Sequence, residues 1–296
     1  MIKSAPLLIA LCGSLALTSC SLVDFSERGC IYKGILVAHC RWDHLTEEQA
    51  APPYTDMHLL CHTPSDAKAC DATKFDAPIC HRKLLAGTYD LLVYNQGDNQ
   101  TRGLEEPASA EILAPVKTNG RKTYIDNEQD FVYSTMQSDV YVHEYDTTYC
   151  ICDPLPLVQQ ITIHLVFKRM AALPELQLLK GELEGVTTSR WLASGEKGEG
   201  YATRSFTFLP TVDPRRFTTT FLVLGIKNSV ENLLNLEVGL ADGRVSESAI
   251  SLDSALDNFV ADKIEITIEI DVSSSLQLTA AIAGWIENDF GEIYVK

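Results

Sequence analysis

The chain has 296 residues, 46% of them apolar, and its 40 Asp and Glu outweigh 24 Lys and Arg to give a formal net charge of −16. That balance excludes attraction to nucleic acid or to anionic lipid through bulk charge. The apolar fraction is ample for buried cores, and the length predicts two domains of ordinary size.

The N-terminus has the order of an export signal. Lys3 is followed by an apolar stretch over residues 5–17, and Leu17-Thr18-Ser19-Cys20 closes it with small residues before a cysteine. An apolar stretch this short does not cross a hydrocarbon core that needs about 20 residues, which makes it a cleavable signal rather than a span. The closing tetrapeptide resembles a bacterial lipobox, which implies that Cys20 carries acyl chains and becomes the new N-terminus. Removal of residues 1–19 takes away one lysine and no acid, so the mature charge is −17. No later apolar run is long enough to span a membrane, leaving the lipid as the anchor.

Beyond Cys20 the chain carries Cys30, Cys40, Cys61, Cys70, Cys80, Cys150 and Cys152. In an exported protein this clustering predicts a disulfide framework, and the odd number leaves at least one thiol over. A second reading is a metal site built from His39-Cys40, Cys61-His62 and Cys80-His81 with Cys150-x-Cys152. These spacings match no compact zinc pattern, so no metal ligand is assigned. In an extended strand Cys150 and Cys152 lie about 7 Å apart on one side, too far to join easily.

Punctuation and composition divide the chain. Asp153-Pro154-Leu155-Pro156 bars a central strand, and neither cysteine nor histidine occurs after His164. The expected division is a signal over 1–19, a tether over 20–29, a cysteine-rich domain over 30–154 and a second domain over 155–296. In the first domain, 34–42, 56–62, 88–95, 131–134 and 139–145 have strand composition, and the polar stretch 96–129 reads as a loop with at most a short strand or helical turn. In the second, Ile161, Ile163, Leu165 and Phe167 alternate with mostly polar residues. The strictest alternation is Ile264, Ile266, Ile268, Ile270 and Val272 with Glu265, Thr267, Glu269 and Asp271 between them, a strand with one face in a core and an acidic face in water. Strands are also expected at 203–208, 218–225, 234–240 and 278–286, and one short helix, capped by an aspartate, at 253–262. Many short strands joined by turns predict an all-β chain of two tandem antiparallel β-sandwiches.

Chemistry is sparse. There is no G-x-S-x-G elbow, H-E-x-x-H pair, P-loop or glycine-rich dinucleotide turn, so no catalytic residue, enzyme activity or cofactor is assigned. Trp42, Trp191 and Trp285 serve a glycan only if one of them is an exposed stacking platform.

The lipobox pattern, Trp42 closing the first strand, Pro52-Pro53 and Leu84-x-x-Gly87-Thr88-Tyr89-Asp90-Leu91-Leu92-Val93-Tyr94-Asn95 resemble the N-terminal domain of the fimbrillin-like and minor fimbrial anchor lipoproteins of Bacteroidetes. The second half is similar too, through Leu183-x-Gly185-Val186, the 264–272 strand and Gly284-Trp285. The resemblance implies transthyretin-like sandwich domains, display on the outer membrane through an N-terminal lipid, and fimbrial subunits or a surface ligand as partners, in pilus assembly or adhesion. Shaft subunits of that family lose an N-terminal strand after an arginine. Here the only early arginine is Arg28, and residues 21–27 carry Asp24 and Glu27, a poor core strand, which points to an anchor or accessory subunit. The C-terminal run 278–296 is then expected to pair within its own domain, with Trp285 packed. The alternatives are a glycan-binding surface lipoprotein and, behind it, a Cys/His metal-binding one.

Overall fold

The computed structural model describes residues 32–46, 49, 51–63, 72–125, 128–168, 176–272, 278–289 and 292–295. Its architecture is strands throughout, with helical structure among the described residues limited to single turns. Strands alternate their side chains between two faces, and here that alternation builds two cores.

The first core lies between a three-stranded sheet, ordered Thr147–Cys152, Lys33–Cys40, Ile79–Leu85, and a five-stranded sheet whose middle is Tyr133–Val142, Gly87–Asn95 and Met57–His62. Leu36, Ala38 and Cys40 meet Leu59, Cys61, Leu91 and Val93 inside it. The five-stranded sheet then turns its other face, with Leu60, Leu92 and Tyr94, into the second core. That double burial explains Leu91-Leu92-Val93-Tyr94, since a strand covered on both faces has no reason to alternate with polar residues.

The second core is walled by two six-stranded sheets. One has Arg216–Val223, Gln159–Phe167, Lys263–Val272 and Leu278–Asp289 at its centre, and the other Val245–Ser251, Leu233–Leu240, Leu176–Thr187 and Tyr201–Thr207. Ile264, Ile266, Ile268 and Ile270 are fully buried, while Glu265, Thr267, Glu269 and Asp271 between them are half-buried on the outer face. Glu269 there meets the Lys168 Nζ at 2.6 Å. Leu278–Asp289 pairs with Lys263–Val272, and Glu292–Val295 folds back on it, with Trp285 packed against the core. The C-terminal run thus stays in its own sheet. No helix among the described residues is long and apolar enough to cross a membrane.

Four local expectations change. The pairing is mostly antiparallel, but the first strand of each sandwich runs parallel to a late one, Lys33–Cys40 with Thr147–Cys152 and Gln159–Phe167 with Lys263–Val272. The two strands expected at 131–134 and 139–145 are one, Tyr133–Val142, broken by a bulge after Gln137 where Asp139 adopts φ 60°. The helix expected at 253–262 is a single turn, Asp253–Leu256. Asp253 does not cap it; its carboxylate accepts from the Asn232 N–H at 2.8 Å and the Ser251 hydroxyl at 2.8 Å instead. The polar stretch 96–129 contains the strands Gln100–Arg102, Glu111–Leu113, Val116–Asn119 and Lys122–Ile125. Their partners include Ser189–Trp191 and Thr203-Arg204, far along the chain, so local composition alone does not reveal them.

The Leu183-x-Gly185-Val186 motif has a backbone cause. Gly185 sits at φ +82° in a register shift, and a Cβ there would lie 2.1 Å from the Nδ2 of the fully buried Asn232. Gly243 has the same φ with open space around it. Gly243→Ala should therefore cost only the left-handed backbone strain, about 1–2 kcal/mol, whereas Gly185→Ala should cost clearly more. Chemical denaturation of the two variants checks this, and equal losses would refute the steric account.

Candidate functional site

Of the cysteines singled out from sequence, Cys20, Cys30 and Cys70 lie outside the described residues. Cys40, Cys61, Cys80, Cys150 and Cys152 are all buried in the first core, as thiols. Strand alternation places them there: Cys150 and Cys152 face inward while Tyr149 and Ile151 face outward, and Cys80 does the same between Ile79 and His81. The same alternation sends His39 and His81 to the face opposite their neighbouring cysteines, which separates the Cys/His pairs that a shared metal would need together. Among the described residues no three His, Cys, Asp or Glu side chains converge in a way that could hold a metal ion.

The sulfurs of Cys150 and Cys152 lean to 3.8 Å, closer than their backbone spacing suggests, and the Cys150 Sγ donates to the Gln137 Oε1 at 2.6 Å. Cys40 stands opposite Cys152 in the parallel register. Burial, with Asp153 nearby, pushes the Cys40 thiol up to about 12. The hydrogen bond with Cys150, and then burial, raise Cys152, and that same bond lowers Cys150. At the end of this strand pair the Arg41 guanidinium donates twice to Asp153, at 3.0 and 2.8 Å, and holds that carboxyl below its usual range.

The outer face of the three-stranded sheet has a different character. Across it, in register, run Ile79, His39 and Ile151, then His81, Val37 and Tyr149, then Lys83, Ile35 and Thr147. Ile35 and Ile79 are 42% exposed, Ile151 49%, Leu85 50% and Tyr149 78%. No carboxylate occurs in these rows, although the chain has 40 of them. Exposed apolar side chains therefore share this face with His39, His81 and Lys83.

Elsewhere the surface is mixed. A cleft of about 490 Å³ lies against the second sandwich among Lys122, Lys180, Glu182, Asn235, Glu237 and Glu247. Trp42, Trp191 and Trp285 are all half-buried, and Trp42 meets Tyr133 edge-on at 5.2 Å, so no tryptophan forms an exposed platform. The polar residue that sequence reasoning missed is Gln129, which lines a smaller cleft near Arg204. It sits in a stretch whose composition gives no sign of burial.

Two histidines carry a pH dependence. Burial, then Lys74, lowers His58, with Asp56 opposing; burial, then Arg216, lowers His164, against a pull from Glu265 at 3.5 Å. The Thr218 hydroxyl is 2.8 Å from the His164 Nδ1. A histidine whose folded pKa lies below its unfolded value of about 6.5 contributes stability that is present above that pH and lost as pH falls toward the folded value. The denaturation midpoint should accordingly fall from about pH 7.5 to about pH 5, and His58→Gln with His164→Gln should flatten the fall. An unchanged slope in the double variant would assign it to other groups.

No family model matches the chain, and no curated protein matches it by sequence. Solved structures do match. A candidate adhesin from Bacteroides ovatus superposes with a TM-score of 0.60 at 13% identity, over 88% of this chain and 96% of that one. A candidate cell adhesion protein from Bacteroides eggerthii gives 0.55 at 9% identity, over 85% and 96%. The fimbrial anchor protein Mfa2 from Porphyromonas gingivalis gives 0.52 at 12% identity, over 88% and 99%. The chain has the all-β fold of these adhesion and fimbrial anchor proteins of Bacteroidetes.

Proposed function

We propose that the chain is a cell-surface lipoprotein that serves as an anchor or accessory subunit in pilus assembly or adhesion, without enzymatic activity. The observation that carries this reading is the fold shared with the fimbrial anchor protein over 88% of the chain. Three features support it. Residues 1–19 have the sequence of an export signal, and Cys20 directly after it would hold the lipid in the outer membrane. The C-terminal strands pair within the sheet of the second sandwich, as expected of a subunit whose last strand is not given to a neighbour. The outer face of the three-stranded sheet, with Ile35, Ile79, Tyr149 and Ile151 exposed beside Lys83 and no carboxylate in its rows, suits an acidic subunit surface. Residues 20–29 would then be the tether, with 30–154 and 155–296 as the two modules, which interlock: the strands Val116–Asn119 and Lys122–Ile125 lie in a sheet of the second sandwich and Leu155–Pro156 in a sheet of the first.

Membrane fractionation and co-purification test the two halves of this reading separately. Cys20→Ala should release the protein or stall its processing, because stable attachment needs the several acyl chains that a lipobox cysteine receives. Ile151→Asp with Tyr149→Asp should leave the protein on the membrane but strip away the subunit that co-purifies with it. Membrane retention of Cys20→Ala after a salt wash refutes the anchor; unchanged co-purification by the double variant refutes the surface.

In an oxidising compartment Cys40 and Cys152, opposed in register and both inward, would form a disulfide. Peptide mapping of the exported protein without reductant should find that link. Recovery of Cys40 or Cys152 bonded chiefly to another cysteine would rule it out.

A further inference from the structure

The Gly284-Trp285 pair near the C-terminus has no backbone cause of the kind that Gly185 has. Gly284 lies in a strand without a left-handed φ, and a Cβ there would meet no atom of the described residues within 4 Å. The absent side chain leaves room in a cleft of about 350 Å³ on the outer face of the second sandwich. The floor of the cleft is a row across three strands, His164, Thr267 and Gly284. Arg216, opposite Val166, stands one row to one side of that floor, and Glu265, opposite Thr162, one row to the other. Four residues of strand, about 13 Å, separate those two rows. Among the described residues the Arg216 guanidinium has no side-chain partner, and Glu265 has the His164 Nε2 at 3.5 Å. Burial, then Arg216, lower His164, so at neutral pH the imidazole does not neutralise Glu265. One positive and one negative charge thus flank the floor uncancelled, and both are within reach of solvent: the Glu265 side chain is 45% exposed and Arg216 is half-buried. Ala283 and Ile286, both exposed, add apolar surface at the Gly284 end.

We propose that this cleft binds a single apolar α-amino acid as its zwitterion, the carboxylate on Arg216, the ammonium on Glu265 and the side chain over Gly284 against Ala283 and Ile286. A simple anion would be repelled by Glu265 and a simple cation by Arg216, whereas a zwitterion answers both charges. The planar fork of an arginine matches a carboxylate in particular. The volume lies at the small end of the ~300–1,000 Å³ usual for ligand sites, which suits one residue rather than a chain. The site does not use the face of the three-stranded sheet and stands whether or not Cys20 is acylated.

Saturation-transfer NMR on the purified chain at pH 7.5 tests the proposal with L-leucine and L-phenylalanine as probes. N-acetyl-L-phenylalanine removes the ammonium, L-phenylalaninamide removes the carboxylate, and glycine removes the side chain. At least one of the two probes should bind, and each of the three counterparts should bind about tenfold more weakly or not at all. Arg216→Gln and Glu265→Gln should each weaken the probe by a similar factor. Gly284→Leu should abolish binding by occupying the floor, with the thermal midpoint unchanged, because nothing described stands where its Cβ would go. The two glutamine variants, at half-exposed surface positions, carry the test if the leucine variant fails to fold. The proposal is overturned if neither probe binds, if the acetylated or amidated counterpart binds as well as the free amino acid, or if binding persists unchanged in Arg216→Gln and Glu265→Gln.

Discussion

A strand whose side chains enter different cores on its two faces cannot slip by one residue without exchanging the contents of both. Gly87–Asn95 is such a strand. Leu91 and Val93 belong to the first core, Leu92 and Tyr94 to the second, and Asn95 closes its end by donating to the Phe131 carbonyl at 3.0 Å and accepting from the Tyr133 N–H at 2.7 Å. The two sandwiches are therefore set against each other by one shared wall rather than by a linker. The segment that carries Phe131 and Gln129 over the second sandwich takes its position from the same clamp.

The three-stranded sheet divides its labour by face. Inward, small and sulfur-bearing side chains such as Ala38, Cys40, Cys150 and Cys152 let it lie close against the five-stranded sheet. Outward, branched and aromatic residues that a monomer would normally hide remain exposed. Each strand satisfies both demands because its period of two keeps the sets apart. His39 and His81 follow the outward set, so two of the three sequence pairs that suggest a metal site are split between opposite faces of this sheet.

What the sequence reveals depends on how far away the deciding partner lies. The alternation from Ile264 to Val272 states its own fold, since one face is apolar at every second position and the strand is central. Leu91 to Tyr94 reads correctly as a strand, but its second buried face requires knowing that another core lies behind it. The strands between Gln100 and Ile125 stay hidden because a handful of apolar residues, Ile112, Leu113, Val116 and Ile125, become strand residues only when chain from 189 to 204 arrives beside them. Gln129 is hidden for the opposite reason: a polar residue in a polar stretch gives no hint of burial, so its place in the interior shows only in three dimensions. Cys150 and Cys152 were legible as residues that face one way, but not the lean that brings their sulfurs together.

The parallel pairings impose an order on the birth of the protein. A ribosome delivers the N-terminus first, yet Lys33–Cys40 has its neighbour in Thr147–Cys152, and Gln159–Phe167 has its own in Lys263–Val272. Each sandwich must wait for roughly a hundred residues before its opening strand can be enclosed, and loops of that length close slowly. During the wait Cys40, Cys61 and Cys80 are out while Cys150 and Cys152 are not. Thiols that end up sealed in one core thus stay uncovered until the late strands arrive, which makes a chain entering an oxidising compartment unfolded more vulnerable to mispairing than the finished molecule.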